Sequence, residues 1–159
     1  MFMADADATM QRDAGTPAAR VAIAELGAGN LADRLQRGDA TLPQLLRYRA
    51  TSQASALALR QKDRGVWRRY NWDDYYRTVV RVAAGLRALG LRRGDRVAIA
   101  GENTPEWYYA DLGAESIGAV VVGIYPTNPW PELRYIVGHC QARVVFTGDQ
   151  EQTDKVLDA

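Results

Sequence analysis

The sequence predicts an α/β fold: an incomplete doubly wound parallel sheet of βαβαβα order, preceded by a β-hairpin and a long helix. Three observations predict it. Between residues 96 and 157, short apolar runs alternate with helical stretches that open on capping residues or proline, the rhythm of parallel strands joined by crossover helices. Within that region 119–122 is a near-continuous apolar run, as expected of a parallel strand covered on both faces. Ahead of it, Tyr75, Val79, Val82, Ala83, Leu86 and Leu89 recur at helical spacing and define one buried stripe.

In chain order, residues 1–40 read as a disordered leader. They are Ala-rich, with Phe2 the only ring, and without helical or strand periodicity. Asp5, Asp7 and Asp13 interrupt any apolar stretch, which excludes a secretory signal and speaks against a transit peptide. Gly27-Ala28-Gly29-Asn30-Leu31-Ala32 matches G-x-G-x-x-A after a short apolar run. A dinucleotide site also needs a full helix and an acid about 20 residues on to hold a ribose. Here the helix would end near Gly38, and the residues around Thr51 are uncharged or basic. The segment is therefore read as leader with one transient helix.

The folded unit is expected from residue 41. Thr41-Leu42-Pro43 opens a short helix to about Arg49 with Leu42, Leu45 and Leu46 on one side, Pro43 lying in the first turn where its missing N–H is not needed. Strands at 56–61 and 66–70 flank Lys62-Asp63-Arg64-Gly65, a hairpin signal. Asn71 is the expected N-cap of the long helix, Asp73 and Asp74 complement its dipole, and Gly90 ends it with Leu91 as the hydrophobic follow-on. Arg93-Gly94-Asp95 is a tight turn into a strand at 96–100. Thr104 and Pro105 start a helix that Gly118 stops; a strand follows at 119–124, then a helix from Pro131 to about Gly138. A strand at 143–147 and a helix at 150–157 close the chain. The last strand, with Val144, Val145 and Phe146, has no successor to cover its edge, which suggests a piece of something larger.

Composition narrows the function. The net charge of +1 excludes a global basic footprint for nucleic acid, and no apolar run reaches the length of a membrane span. One cysteine, Cys140, excludes an internal disulfide, and one histidine, His139, excludes most zinc sites. The 18 arginines against Lys62 and Lys155 reflect base composition first. A cytoplasmic location is expected, with room for peripheral association with a membrane.

Three segments carry a family resemblance: TLPQLLRYRA at 41–50, the run from GVWRRYNWDDYY to GIYPTNP at 65–129, and ARVVFTGDQEQTDKVLD at 142–158. The combination of AAGLRALG-x-x-x-GDRVAI, N-x-x-EW and GAV-x-V-x-IYP resembles the start of an adenylate-forming enzyme of the acyl-CoA synthetase branch. With Trp67, Tyr70 and Trp72 it is more similar to long-chain carboxylate–CoA ligases than to peptide-synthetase adenylation domains. The resemblance implies an N-terminal portion, 41–159, of the large AMP-binding domain. It implies a parent enzyme that activates a fatty or aryl carboxylate with ATP and Mg2+ to an acyl-adenylate and pyrophosphate, then transfers the acyl group to CoA.

The Ser/Thr-Gly-Thr-Thr-Gly phosphate loop is not in the sequence, and neither Lys62 nor Lys155 corresponds to the family's mobile lysine. The chain alone is therefore expected to be inactive and to carry no catalytic or metal-binding residues. Asn103, with Glu106, follows the C-terminal end of a parallel strand, where open α/β sheets gather ligands; equally, Glu106 serves the helix dipole and Asn103 the turn. Arg134 follows the rigid 125–129 loop, which the resemblance puts near CoA; a solvated helix arginine is the alternative. His139 and Cys140 are adjacent on a helix and do not face each other, leaving Cys140 as a small buried hydrophobe. Two other functions stay open: a non-catalytic truncated homologue that docks on a partner through its open sheet edge, and a flavodoxin-like nucleotide binder. The second is opposed by Gly101-Glu102-Asn103 after the first parallel strand, where a phosphate loop would be needed.

Overall fold

The computed structural model describes residues 37–38 and 40–158. The expectations for the leader, including the 27–32 motif, lie outside the described residues. The elements are α1 (Leu42–Ser52), β1 (Leu57–Asp63), β2 (Val66–Asn71), α2 (Trp72–Ala88), β3 (Arg96–Ala100), α3 (Pro105–Ser116), β4 (Val120–Ile124), α4 (Trp130–Cys140), β5 (Val144–Thr147) and α5 (Gln150–Leu157).

β1 and β2 form an antiparallel hairpin, and β4-β3-β5 form a parallel sheet in that order. The hairpin turn is only Arg64-Gly65. Both have positive φ, 48° and 84°, the mirror-image turn that suits a two-residue connection, so Lys62 and Asp63 belong to β1. In the sheet, β3 is the central strand and is buried from Val97 to Ala100. The apolar run at 119–122 is instead part of an edge: Val120 is half exposed, because β4 has a neighbour on one side only among the described residues. Apolar character alone did not distinguish the edge from the centre.

Helices cover both faces. Leu86 of α2 and Ala114 of α3 pack with Val97, Val121, Val144 and Phe146 on one face. On the other, Leu133, Ile136 and Val137 of α4 and Val156 of α5 meet Ala98, Ala100, Ile124 and Val145. Strand alternation explains this division, since paired residues of parallel strands share a face. A further cluster joins α1, α2 and α3 through Leu46, Tyr75, Val79, Tyr109 and Leu112.

Most helix termini follow their expected chemistry, with adjustments. Asn71 Oδ1 accepts from Asp74 N at 2.8 Å while Asp74 Oδ2 faces Asn71 N, a reciprocal cap. At the other end of α2, Gly90 N donates to Arg87 O and Leu91 N to Leu86 O, the paired bonds of a Schellman turn. Leu89 is therefore the cap residue rather than part of the stripe, and is 67% exposed. Gly118 and Ala119 repeat the arrangement at the end of α3. α4 runs past Gly138 to Cys140, and Gln141 takes the left-handed position at φ 53°. In α1 the buried residues are Pro43, Gln44, Leu46 and Ala50; Leu42 is exposed because a side chain at the first helical position has no preceding turn to cover.

Candidate functional site

The connections diverge at the C-terminal ends of β3 and β5. β3 leads through Gly101-Glu102-Asn103 to α3 on one face, while β5 leads through Gly148-Asp149 to α5 on the other. This is the switch point at which open α/β sheets form a crevice. The two loops touch at their start. Gly148 N donates to Ala100 O at 2.9 Å, and a Cβ on Gly101 would stand 3.1 Å from Gly148 Cα. Glycine at both positions lets the backbones approach and leaves the space above them open.

That space is a crevice of about 360 Å³. Its apolar wall is Ile99, Phe146, Trp107 and Ala110; Thr104, Glu102, Glu106 and Thr147 bring polar groups to it, and Gln61 of β1 closes one side. Thr104 precedes α3 with extended backbone but makes no side-chain capping bond, a correction to its expected role, so its hydroxyl is not held by the helix terminus. Thr147 Oγ1 is already engaged with Thr153 Oγ1 at 2.8 Å. A slot with one indole wall and two carboxylates at its edge suits the apolar or cationic part of a ligand better than a bare phosphate.

Asn103 lies exposed in the loop beside this crevice, but its neighbours Glu102 and Thr104 line it and Asn103 does not. Arg134 is on α4, which covers the opposite face of the sheet, so the structure does not bring the two together. Arg134 instead edges a shallow hollow with Pro131, Tyr135, Gly138 and His139. Tyr135 and His139 stack there, ring centroids 5.4 Å apart and planes 17° apart. The i, i+4 spacing of Tyr135 and His139 on one helix is the local signal for this pair. Cys140 is half-buried, with Sγ directed at Val137 O.

The 125–129 loop between crevice and hollow is held from α5. Pro126 O accepts from Gln152 Nε2 at 3.1 Å and from Lys155 Nζ at 3.0 Å, and Asn128 Nδ2 donates to Glu132. Lys155 thus anchors a loop. On the buried side of α3, burial holds the carboxyls of Asp111 and Glu115 above their ordinary range, and pushes the Tyr109 phenol up to about 12. At the opposite end of the sheet, Asp95 is held low, first by the backbone N–H of Arg92 at 2.7 Å and then by Arg143 at 2.8 Å. Among the described residues no three His, Cys, Asp or Glu side chains converge on one position.

A three-layer α/β unit with a switch-point crevice defines the class: half of a doubly wound domain. The family model described as AMP-binding enzyme matches residues 46–159, and the chain belongs to that family. Long-chain-fatty-acid--CoA ligase ACSBG1 of Rattus norvegicus is 39% identical over 103 residues, 65% of this chain and 14% of the relative. Long-chain-fatty-acid--CoA ligase ACSBG2 of Xenopus laevis is 33% identical over 117 residues, 74% of this chain and 16% of the relative. The chain thus spans about one-seventh of the length of these ligases. Among solved structures, the N-terminal domain of FACL13 from Mycobacterium tuberculosis superposes with TM-score 0.69 at 28% identity, over 75% of this chain and 30% of that one. The parallel sheet and hairpin are those of N-terminal domains of adenylate-forming enzymes.

Proposed function

We propose that this chain is the N-terminal portion of the adenylation domain of a cytoplasmic long-chain fatty acid–CoA ligase, with residues 41–159 forming the folded part. The observation that carries the reading is the 39% identity to a long-chain ligase over 103 residues. In the parent enzyme a fatty carboxylate attacks the α-phosphorus of ATP and expels pyrophosphate. The CoA thiolate then attacks the acyl carbon and expels AMP. ATP, Mg2+ and CoA are therefore the proposed cosubstrates and cofactor of the parent, whose phosphate loop is not in this sequence.

This chain's own contribution is scaffold and substrate surface. Arg134, beside the Tyr135–His139 stack, offers a cation next to two planar rings, which suits the nucleotide end of CoA. Asn103 would border the crevice from the loop. The test is ATP–pyrophosphate exchange with a long-chain fatty acid. A protein comprising this chain and the rest of its open reading frame should catalyse it, and the 159-residue chain should not. Exchange by the chain alone, free of host ligase, overturns the scaffold reading; failure of the longer protein with any carboxylate overturns the ligase reading.

A non-catalytic interaction module is favoured by one observation: β4 and β5 each have one unpaired edge among the described residues. A module evolved to stand alone should be monodisperse at high concentration, whereas a severed scaffold should aggregate.

A further inference from the structure

We propose that the outward face of the β1–β2 hairpin is a contact surface for an anionic lipid bilayer, with Trp67 seated at headgroup level. Charge is segregated onto this element. Residues 57–71 contain Arg60, Lys62, Arg64, Arg68 and Arg69 against Asp63, a net +4 in a chain of +1, so the other 144 residues carry −3. The register pairs Arg60 with Arg69 and Lys62 with Trp67, which puts three cations and an indole on one face. All four are exposed, while Leu59 and Tyr70 of the other face turn toward the body.

Two features of the hairpin are unfavourable in the free protein. Arg60 and Arg69 are like charges directly opposite each other, an arrangement that destabilises an antiparallel pair. No carboxylate relieves them: among the described residues the hairpin's ion pair is Arg68–Asp63, on the opposite face, and none involves Arg60, Lys62 or Arg69. At the tip, Val66 and Trp67 are 66% and 55% exposed, and nothing lies within 4 Å of a Cβ on Gly65. The Arg60 guanidinium lies 4.9 Å from the Trp67 ring centroid, which keeps the indole presented among the charges.

An anionic bilayer answers each feature. Its headgroups neutralise the facing arginines, and its interface accommodates an indole together with a short apolar tip. A nucleic acid fits less well, since one exposed ring offers no series of stacking platforms and the acidic remainder of the chain repels a long polyanion. The proposal goes beyond the ligase reading and its test requires no catalysis.

The experiment is co-sedimentation of the 159-residue chain with sucrose-loaded vesicles of phosphatidylcholine containing one-third phosphatidylserine, compared with pure phosphatidylcholine vesicles and a vesicle-free control. Binding to the anionic vesicles only, weakening as salt rises, is expected. Each cation near the surface contributes a factor of about five, so Arg60→Gln with Arg69→Gln should weaken binding about 25-fold. The Arg60→Lys, Arg69→Lys pair should retain binding, which separates charge from folding, and Arg81→Gln on α2 should leave it nearly unchanged. Equal binding to neutral vesicles, unchanged binding by the double Gln variant, or preferential capture of a single-stranded RNA in competition overturns the proposal.

Discussion

Two glycines in packed helices should respond oppositely to the same substitution. Gly85 of α2 and Gly113 of α3 are both helical, and alanine in an unhindered helix interior stabilises by about 0.5–1 kcal/mol relative to glycine. A Cβ on Gly85 meets nothing within 4 Å, so Gly85→Ala should gain that amount and raise Tm by about 2–5 °C. A Cβ on Gly113 would lie 2.5 Å from Val82 Cγ1, 2.8 Å from Val82 Cβ and 3.3 Å from Ala83 N. The first contact is relieved by rotating a side chain. The second is not, because Val82 Cβ is fixed by the α2 backbone, so the helices must separate by several tenths of an ångström. Val82 packs against both clusters on that side of the molecule, so separation loosens them together. Overpacking of this kind costs about 1–3 kcal/mol; less the helical gain, Gly113→Ala should destabilise by about 0.5–2 kcal/mol. Urea unfolding of the 159-residue chain measures both. Val82→Ala in the Gly113→Ala background should recover part of the loss, since it removes Cγ1 and leaves Cβ. A Gly113→Ala variant as stable as Gly85→Ala would refute the close crossing of α2 and α3.

The other predictions are more direct. Leu86→Asp puts an unpaired carboxylate at a site 2% exposed between α2 and the sheet, and should lower Tm sharply; an unchanged Tm would show the stripe faces elsewhere. The depressed Asp95 carboxyl contributes stability that is present above its ordinary value of 3.8 and lost as pH falls through its lower folded value; Asp95→Asn should remove that loss, read as the urea midpoint against pH. Asp111 has the opposite sign. Burial raises its folded value above 3.8, so stability grows as pH falls into that window, and Asp111→Asn should stabilise the chain at neutral pH and flatten the same curve.

Much of this fold was legible locally. Asn71 with Asp74 and Gly90 with Leu91 mark helix ends through bonds that span five residues or fewer, so the sequence neighbourhood contains both partners. The hairpin was legible for the same reason, although its turn was narrower than the composition of 62–65 suggested. The candidate site was legible only as a location, the loop after β3. Its lining residues belong to segments as distant as Gln61, Trp107 and Phe146, and no local pattern indicates which of them meet.

By itself, then, the sequence determined the order and type of the elements from β1 to α5, the parallel character of the sheet and the family resemblance. The elements and the parallel sheet rest on side-chain periodicity and on adjacent capping residues, the resemblance on the motifs within 41–50, 65–129 and 142–158. Only the tertiary structure decided that β5 returns to the free edge of β3, making 96–100 the buried strand and 119–122 an edge. It also decided that Leu89 is outside the core, that Gly113 is a contact point, and that Gly101 meets Gly148. Those outcomes depend on which surfaces face each other after the chain has closed on itself, and periodicity along one segment has no information about the segment it will meet.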